Sequence, residues 1–219
     1  MKRFLILTAA LLLLVLAKAD AQNDARARQD LIELRQKYEA NESMQAEVAL
    51  EIKFPEQPAE VQKGTISQQG KSFRAEFAQQ VAISDGETLW MYLPDNMEVQ
   101  VYDATEGMGD GGFLNPQDLL TIYDSEDFEY ALTGEITEGG TTYRQIEFKP
   151  TDRNSEFSKV RLTYDPRSDT VRRIKVFNKD GSRFALSLTS VKTGVAIPAS
   201  TFAFNAKDYP GVMVEDMRL

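Results

Sequence analysis

The chain contains no cysteine and no histidine. Without cysteine there is no disulfide framework, so stability has to come from ordinary burial, and the redox state of the compartment stays open. The two absences together exclude Ser-His and Cys-His nucleophile systems and the usual zinc ligands. Nor is there a phosphate-binding glycine loop, a calcium-loop spacing, an internal repeat or a low-complexity tract. Carboxylates are plentiful, but a run such as Asp124-Ser125-Glu126-Asp127 reads as a solvated acidic turn rather than a paired acid and base. No enzymatic activity and no cofactor are expected. Positive charge is also short: the formal net charge is −9. That makes nucleic acid or broad adhesion to anionic lipid a poor match.

Only one long apolar run exists, and it stands at the start. Met1-Lys2-Arg3 is followed by uncharged, mostly aliphatic residues from Phe4 to Ala17, with small residues at Ala17, Ala19 and Ala21. Crossing a bilayer takes about 20 apolar residues, and this run is shorter, so it predicts a secretory signal peptide cleaved after Ala21. A retained anchor helix is the alternative. Residues 1–21 are then the leader and 22–219 a single domain. No cysteine follows the run, so the chain is not itself lipidated there. Cleavage removes Lys2, Arg3 and Lys18 with only Asp20, leaving the remainder more acidic still.

What is present is β pattern. The chain has 219 residues, 42% of them hydrophobic, enough for one sizeable core. A helix is predicted from about Asp24 to Asn41, with Ala27, Leu31, Leu34 and Tyr38 on one stripe. Then Met44, Ala46, Val48, Leu50, Ile52 and Phe54 alternate with more polar neighbours, which predicts a long strand with one apolar face. Strands follow at Val61–Gln68 and around Phe73, Ala75 and Phe77.

The centre of the chain is Ile83-Ser84-Asp85-Gly86-Glu87-Thr88-Leu89-Trp90-Met91-Tyr92, read as strand, two-residue type I′ turn at Asp85-Gly86, and strand. Leu89, Met91 and Leu93 point one way and Thr88, Trp90 and Tyr92 the other, so this strand needs cover on both faces. The loop Asp103–Gly112 carries four glycines and leads to Asn115-Pro116, a capped start for a short helix bearing Leu119, Leu120, Ile122 and Tyr123. A movable flap and an ordinary helical crossover fit equally. Further strands are expected at Phe128–Leu132, Thr142–Lys149, Lys159–Tyr164, Thr170–Asn178 and Arg183–Val191, and a last short one at Phe202 and Phe204. About eleven strands and two or three helices without a strand–helix rhythm predict a mainly β, antiparallel sheet.

These residues resemble the outer-membrane lipoprotein carrier proteins, the LolA family. The likeness is carried by the order helix, long strand, Gly64-Thr65-Ile66, Phe73-Arg74 and the Ser84-Asp85-Gly86…Leu89-Trp90-Met91-Tyr92 block. The tail Ile197-Pro198, Phe202-Ala203-Phe204 and Pro210-Gly211-Val212-Met213-Val214 is similar too. The resemblance implies an incomplete antiparallel β-barrel of about eleven strands, lidded by helices over an apolar cavity that carries lipoprotein acyl chains across the periplasm. It also implies a monomeric carrier with an inner-membrane lipoprotein-releasing ABC transporter as donor and an outer-membrane acceptor where one exists. One departure stands out: the family's Arg-Pro pair before the strand of Phe73, whose arginine latches the lid, is here Gln69-Gly70. Arg74 lies nearby but would not superpose.

Candidate cavity walls are Met44, Val48, Leu50, Ile52, Phe73, Phe77, Leu89, Met91, Leu186 and Leu188, and the candidate lid is Leu119, Leu120 and Ile122. Periodicity does not distinguish a hollow barrel from a filled one. A second reading is a periplasmic lipid-binding or envelope-stress-sensing module on the same fold. A third, a polysaccharide-acting enzyme, would need two acidic residues converging in a cleft.

Overall fold

The structure is a computed structural model that describes residues 24–104, 120 and 122–218. The predicted leader, the loop from residue 105 and the capped start at Asn115-Pro116 lie outside the described residues.

A helix α1 (Ala25–Glu39) is followed by β1 (Ser43–Lys53), β2 (Glu60–Gln69), β3 (Ser72–Phe77), β4 (Val81–Ser84), β5 (Thr88–Leu93) and β6 (Glu98–Asp103). After these come β7 (Phe128–Glu138), β8 (Thr141–Pro150), β9 (Phe157–Asp165), β10 (Thr170–Asn178), β11 (Arg183–Thr193) and β12 (Met213–Asp216). All twelve strands form one open sheet in the order β12-β6-β5-β4-β3-β2-β1-β11-β10-β9-β8-β7. Its two edges, β12 and β7, do not meet, so the barrel is incomplete as expected, with twelve described strands instead of about eleven. Neighbours in the sheet are neighbours in the chain except at two seams. One is β1 against β11; the other is β12, which runs parallel to β6.

The period-two pattern of β1 sorts its side chains as expected. Val48 lies between Leu188 of β11 and Gly64 of β2, and Leu50 between Leu186 and Gln62. The same face continues through Ile174, Leu162, Ile146 and Leu132 on one side and through Ile66, Ala75, Ala82 and Met91 on the other. Against this inner face α1 buries Ala27, Leu31 and Leu34. The helix starts where it does because Asp24 caps it, its carboxylate accepting from the N–H of Arg26 at 2.9 Å. Gly64 is required by packing: a Cβ there would stand 2.3 Å from the Glu76 carbonyl oxygen and 2.6 Å from the Phe77 ring.

The outer face of β3–β6 has its own cover, which answers the two-sided demand of Trp90 and Tyr92. The segment after β11 crosses it, stacking Phe204 on Trp90 (6.2 Å) and placing Tyr209 on Tyr92 (4.5 Å), with Ile83 and Val99 buried beneath.

Three expectations are corrected. Phe202 and Phe204 do not form a strand: Ala199–Phe202 is a 3-10 turn, and the strand is Met213–Asp216, paired parallel with β6, so the sheet is not wholly antiparallel. Pro198 before the turn, the burial of Phe202 and the stacking of Phe204 on Trp90 outweigh the short alternation. The β4–β5 connection is the three-residue loop 85–87, not a two-residue type I′ turn. Asp85 turns the chain with its own carboxylate, accepting from the N–H groups of Glu87 and Thr88, and only Gly86 takes a positive φ, +98°. The two-residue turn with positive φ at both positions occurs instead at Gly139-Gly140, +58° and +82°.

Candidate functional site

Most of the predicted wall residues share the inner face, at two depths. Val48, Phe77, Leu186 and Leu188 are buried in the central cluster, and Met44 is buried beside it. Leu50, Phe73, Leu89 and Met91 pack against that cluster but keep part of their surface open. Ile52 is half-buried near the far end of β1, between Phe184 and Glu60. Of the predicted lid, Leu120 is buried at 1% exposure in the same cluster. Leu119 and the Ile122 side chain lie outside the described residues.

A cleft of about 470 Å³ opens under the C-terminal end of α1. Its walls are Tyr38, Met44, Val171, Leu188 and Val191, with Gln68 among them, and Lys37, Glu39, Glu42 and Asp169 stand around it. Only Met44 and Leu188 of the predicted residues line it. The others could not be assigned from periodicity, because the cleft forms where five elements end: α1, the start of β1, the end of β2, the start of β10 and the end of β11. Tyr38 did carry a signal, as the last member of the helix stripe; Gln68 carried none.

The helix is fastened unevenly over this face. At its start the Asp24 carboxylate also accepts from the N–H of Leu132 at 3.2 Å, tying α1 to β7. In its middle Asp30, 8% exposed, accepts from Arg144 at 3.1 Å and from the hydroxyl of buried Tyr164. Arg35 reaches Asp124 at 3.1 Å and Arg28 reaches it at 3.4 Å, with Arg28 lying over the ring of buried Tyr123. These bonds join the helix to the segment carrying Leu120. At its last turn the Tyr38 hydroxyl donates to Gln68 Oε1 of the sheet, 3.0 Å. Burial pushes the Tyr38 phenol well above its ordinary pKa, so it stays a neutral donor. Gln69 and Gly70 form the lip directly beyond, and Gln68 Nε2 donates to the Gly70 carbonyl at 3.2 Å. The neutral Tyr38–Gln68 bond thus stands one residue before Gln69, the position at which the resemblance implies an arginine.

The site offers an apolar inner surface, a cleft at one end and a helix held most firmly at the other. The sequence matches the family model described as Outer membrane lipoprotein carrier protein LolA over residues 56–205, from the turn after β1 to just before β12. An outer-membrane lipoprotein carrier protein of Vibrio vulnificus (strain YJ016) is 29% identical over 136 residues, covering 62% of each chain. One of Dechloromonas aromatica (strain RCB) is 26% identical over 125 residues, covering 57% of this chain and 56% of that one. The chain thus spans less than two thirds of the length of these curated relatives. In fold it is similar to the crystal structure of an uncharacterized conserved protein from Thermus thermophilus, with a TM-score of 0.56 at 12% identity, covering 87% of this chain and 99% of that one. With more than half of its residues matched to the family model, the chain belongs to the LolA family of outer membrane lipoprotein carrier proteins.

Proposed function

We propose that this protein is a periplasmic carrier that takes the acyl chains of lipoproteins released from the inner membrane and delivers them to the outer membrane. Residues 1–21 direct its export, and 22–219 form the carrier domain. Each methylene moved out of water is worth about 0.8 kcal/mol, so a sixteen-carbon chain left in water costs on the order of 12 kcal/mol. A carrier has to replace the bilayer with apolar wall yet release its load. The observation that carries the proposal is the incompletely covered apolar inner face: Leu50, Phe73, Leu89 and Met91 border a packed core without being sealed into it. Acyl chains enter by the cleft at Met44 and Leu188 and spread along this border, with Leu119, Leu120 and Ile122 as the lid. An inner-membrane lipoprotein-releasing ABC transporter loads the carrier and an outer-membrane acceptor unloads it.

The test is to isolate the exported protein without detergent and identify what it holds by mass spectrometry. Lipidated polypeptides are the expected result. Free phospholipid or glycolipid alone would sink the carrier reading and leave a lipid-binding or sensing module.

A further inference from the structure

The outer face of β9–β11 holds a cluster unlike the rest of this acidic protein. The Phe177 ring has four cations around it: Lys159 Nζ at 5.0 Å from the centroid, Arg161 at 5.3 Å, Lys175 Nζ at 5.5 Å and Arg183 at 5.8 Å. The register explains the crowding. Lys159 and Arg183 are the direct cross-strand partners of Phe177, Lys175 precedes it by two on the same face, and Arg161 is the partner of Lys175. Lys53 of β1 stands opposite Arg183 and extends the row.

One carboxylate answers this charge. Glu147 accepts from Lys159 at 2.9 Å and from Arg161 at 2.5 Å. Among the described residues no carboxylate pairs with Lys175 or Arg183; Glu51 lies beyond Ala185, and Asp180 is engaged by Ser182. One ring cannot satisfy four cations, since a cation–π contact needs a place over a ring face. Like charges on directly paired strands repel. The cluster therefore carries a surplus of positive charge within about one Debye length, roughly 8 Å at physiological salt.

We infer that this face docks an acidic segment of a partner protein, laid across β9–β11 against Lys175 and Arg183. The net charge of −9 supplies the selectivity, because it repels such a partner from the rest of the surface and steers it here. An anionic bilayer fits less well. The outer face of a curved sheet meets a plane along a narrow strip, and the exposed Val61 on this face lies across Glu51 and not among the four cations around Phe177. The cluster is at the opposite end of the strands from the cleft: β10 runs from Thr170 at the cleft to Phe177, roughly 23 Å at strand rise. A partner held there leaves the cleft free.

Anisotropy titration with a fluorescein-labelled deca-glutamate peptide at low salt tests the inference. Binding is expected, at least tenfold weaker in Lys175→Glu/Arg183→Glu and within twofold of the parent in Lys71→Glu/Lys207→Glu, a charge-matched reversal at exposed sites elsewhere. Lys175→Gln/Arg183→Gln, which adds no negative charge, should also weaken binding and guards against misfolding of the reversal. No binding to the peptide, or equal loss in both reversals, overturns the inference. So does binding confined to phosphatidylglycerol vesicles, which would make the face a lipid contact.

Discussion

At the residue scale, the inner face divides into side chains that hold the fold and side chains available to a ligand, and substitution should separate them. Leu186 is 6% exposed in the central cluster and away from the cleft, so Leu186→Ala should cost about 2–5 kcal/mol of stability. Leu50, only partly covered, should cost less when cut to alanine and should lose more of its acyl-chain binding in proportion. Urea melts paired with titration of a fluorescent fatty acid measure both. If Leu50→Ala lowers stability and leaves binding unchanged, Leu50 belongs to a filled core and its role as wall is wrong. Alternation along β1 told which residues face inward. Depth was invisible to it, because Val48 and Leu50 differ only in how far the helix and the neighbouring strands extend over them. Gly64 shows a similar limit: its place was legible as a motif, while its reason, the Phe77 ring lying across it, belongs to the neighbouring strand.

At the element scale, α1 and β1 were readable because each carries an unbroken period of its own, and the helix found its bounds to within two residues of those expected. The strand β12 was not, since Met213–Asp216 is exposed throughout and its reason for being extended is the edge of β6. The fastening of α1 was equally hidden, because Asp24 and Leu132 are 108 residues apart. That anchor is pH-dependent. Burial opposes ionisation of Asp24, but hydrogen bonds from the N–H groups of Arg26, Leu132 and Ala27 outweigh it and hold its pKa below 3.8. A carboxyl lowered on folding stabilises the folded state above its unfolded pKa, and the gain disappears as pH falls through the folded value. Asp24→Asn keeps an acceptor but loses the charge at the helix start, so it should be less stable than the parent by about 0.5 kcal/mol at pH 7. The gap should close at a pH below that lowered folded value, where Asp24 is protonated too. Denaturant melts at the two pH values check this; an equal gap at both would show that the charge contributes nothing.

At the scale of the whole molecule, the mainly β sheet, its single core and the need for cover on both sides of the Trp90 strand followed from patterns along the chain, while the openness of the sheet came from the family resemblance. The identity of the outer cover did not, because an irregular segment has no period to read. Trp90 is the only tryptophan, and Phe204 stacks on it. Removing residues 204–219 should therefore move its emission to longer wavelength and bare the edge of β6, giving concentration-dependent association. Unchanged emission would show that the tail does not shield Trp90 in solution. The seam between β1 and β11 has a consequence for how the chain acquires its shape. Strands β1–β6 and β7–β11 are each a meander of hairpins that can form from local contacts, but the two halves become one sheet only when β1 meets β11, with Glu47 and Thr189, 142 residues apart, joined across it. Closing so long a loop is the slow part of such a topology. Until it closes, β1 offers an open apolar face and one unpaired edge, so a newly made chain is most exposed to self-association at the strand that later sits at the middle of its sheet.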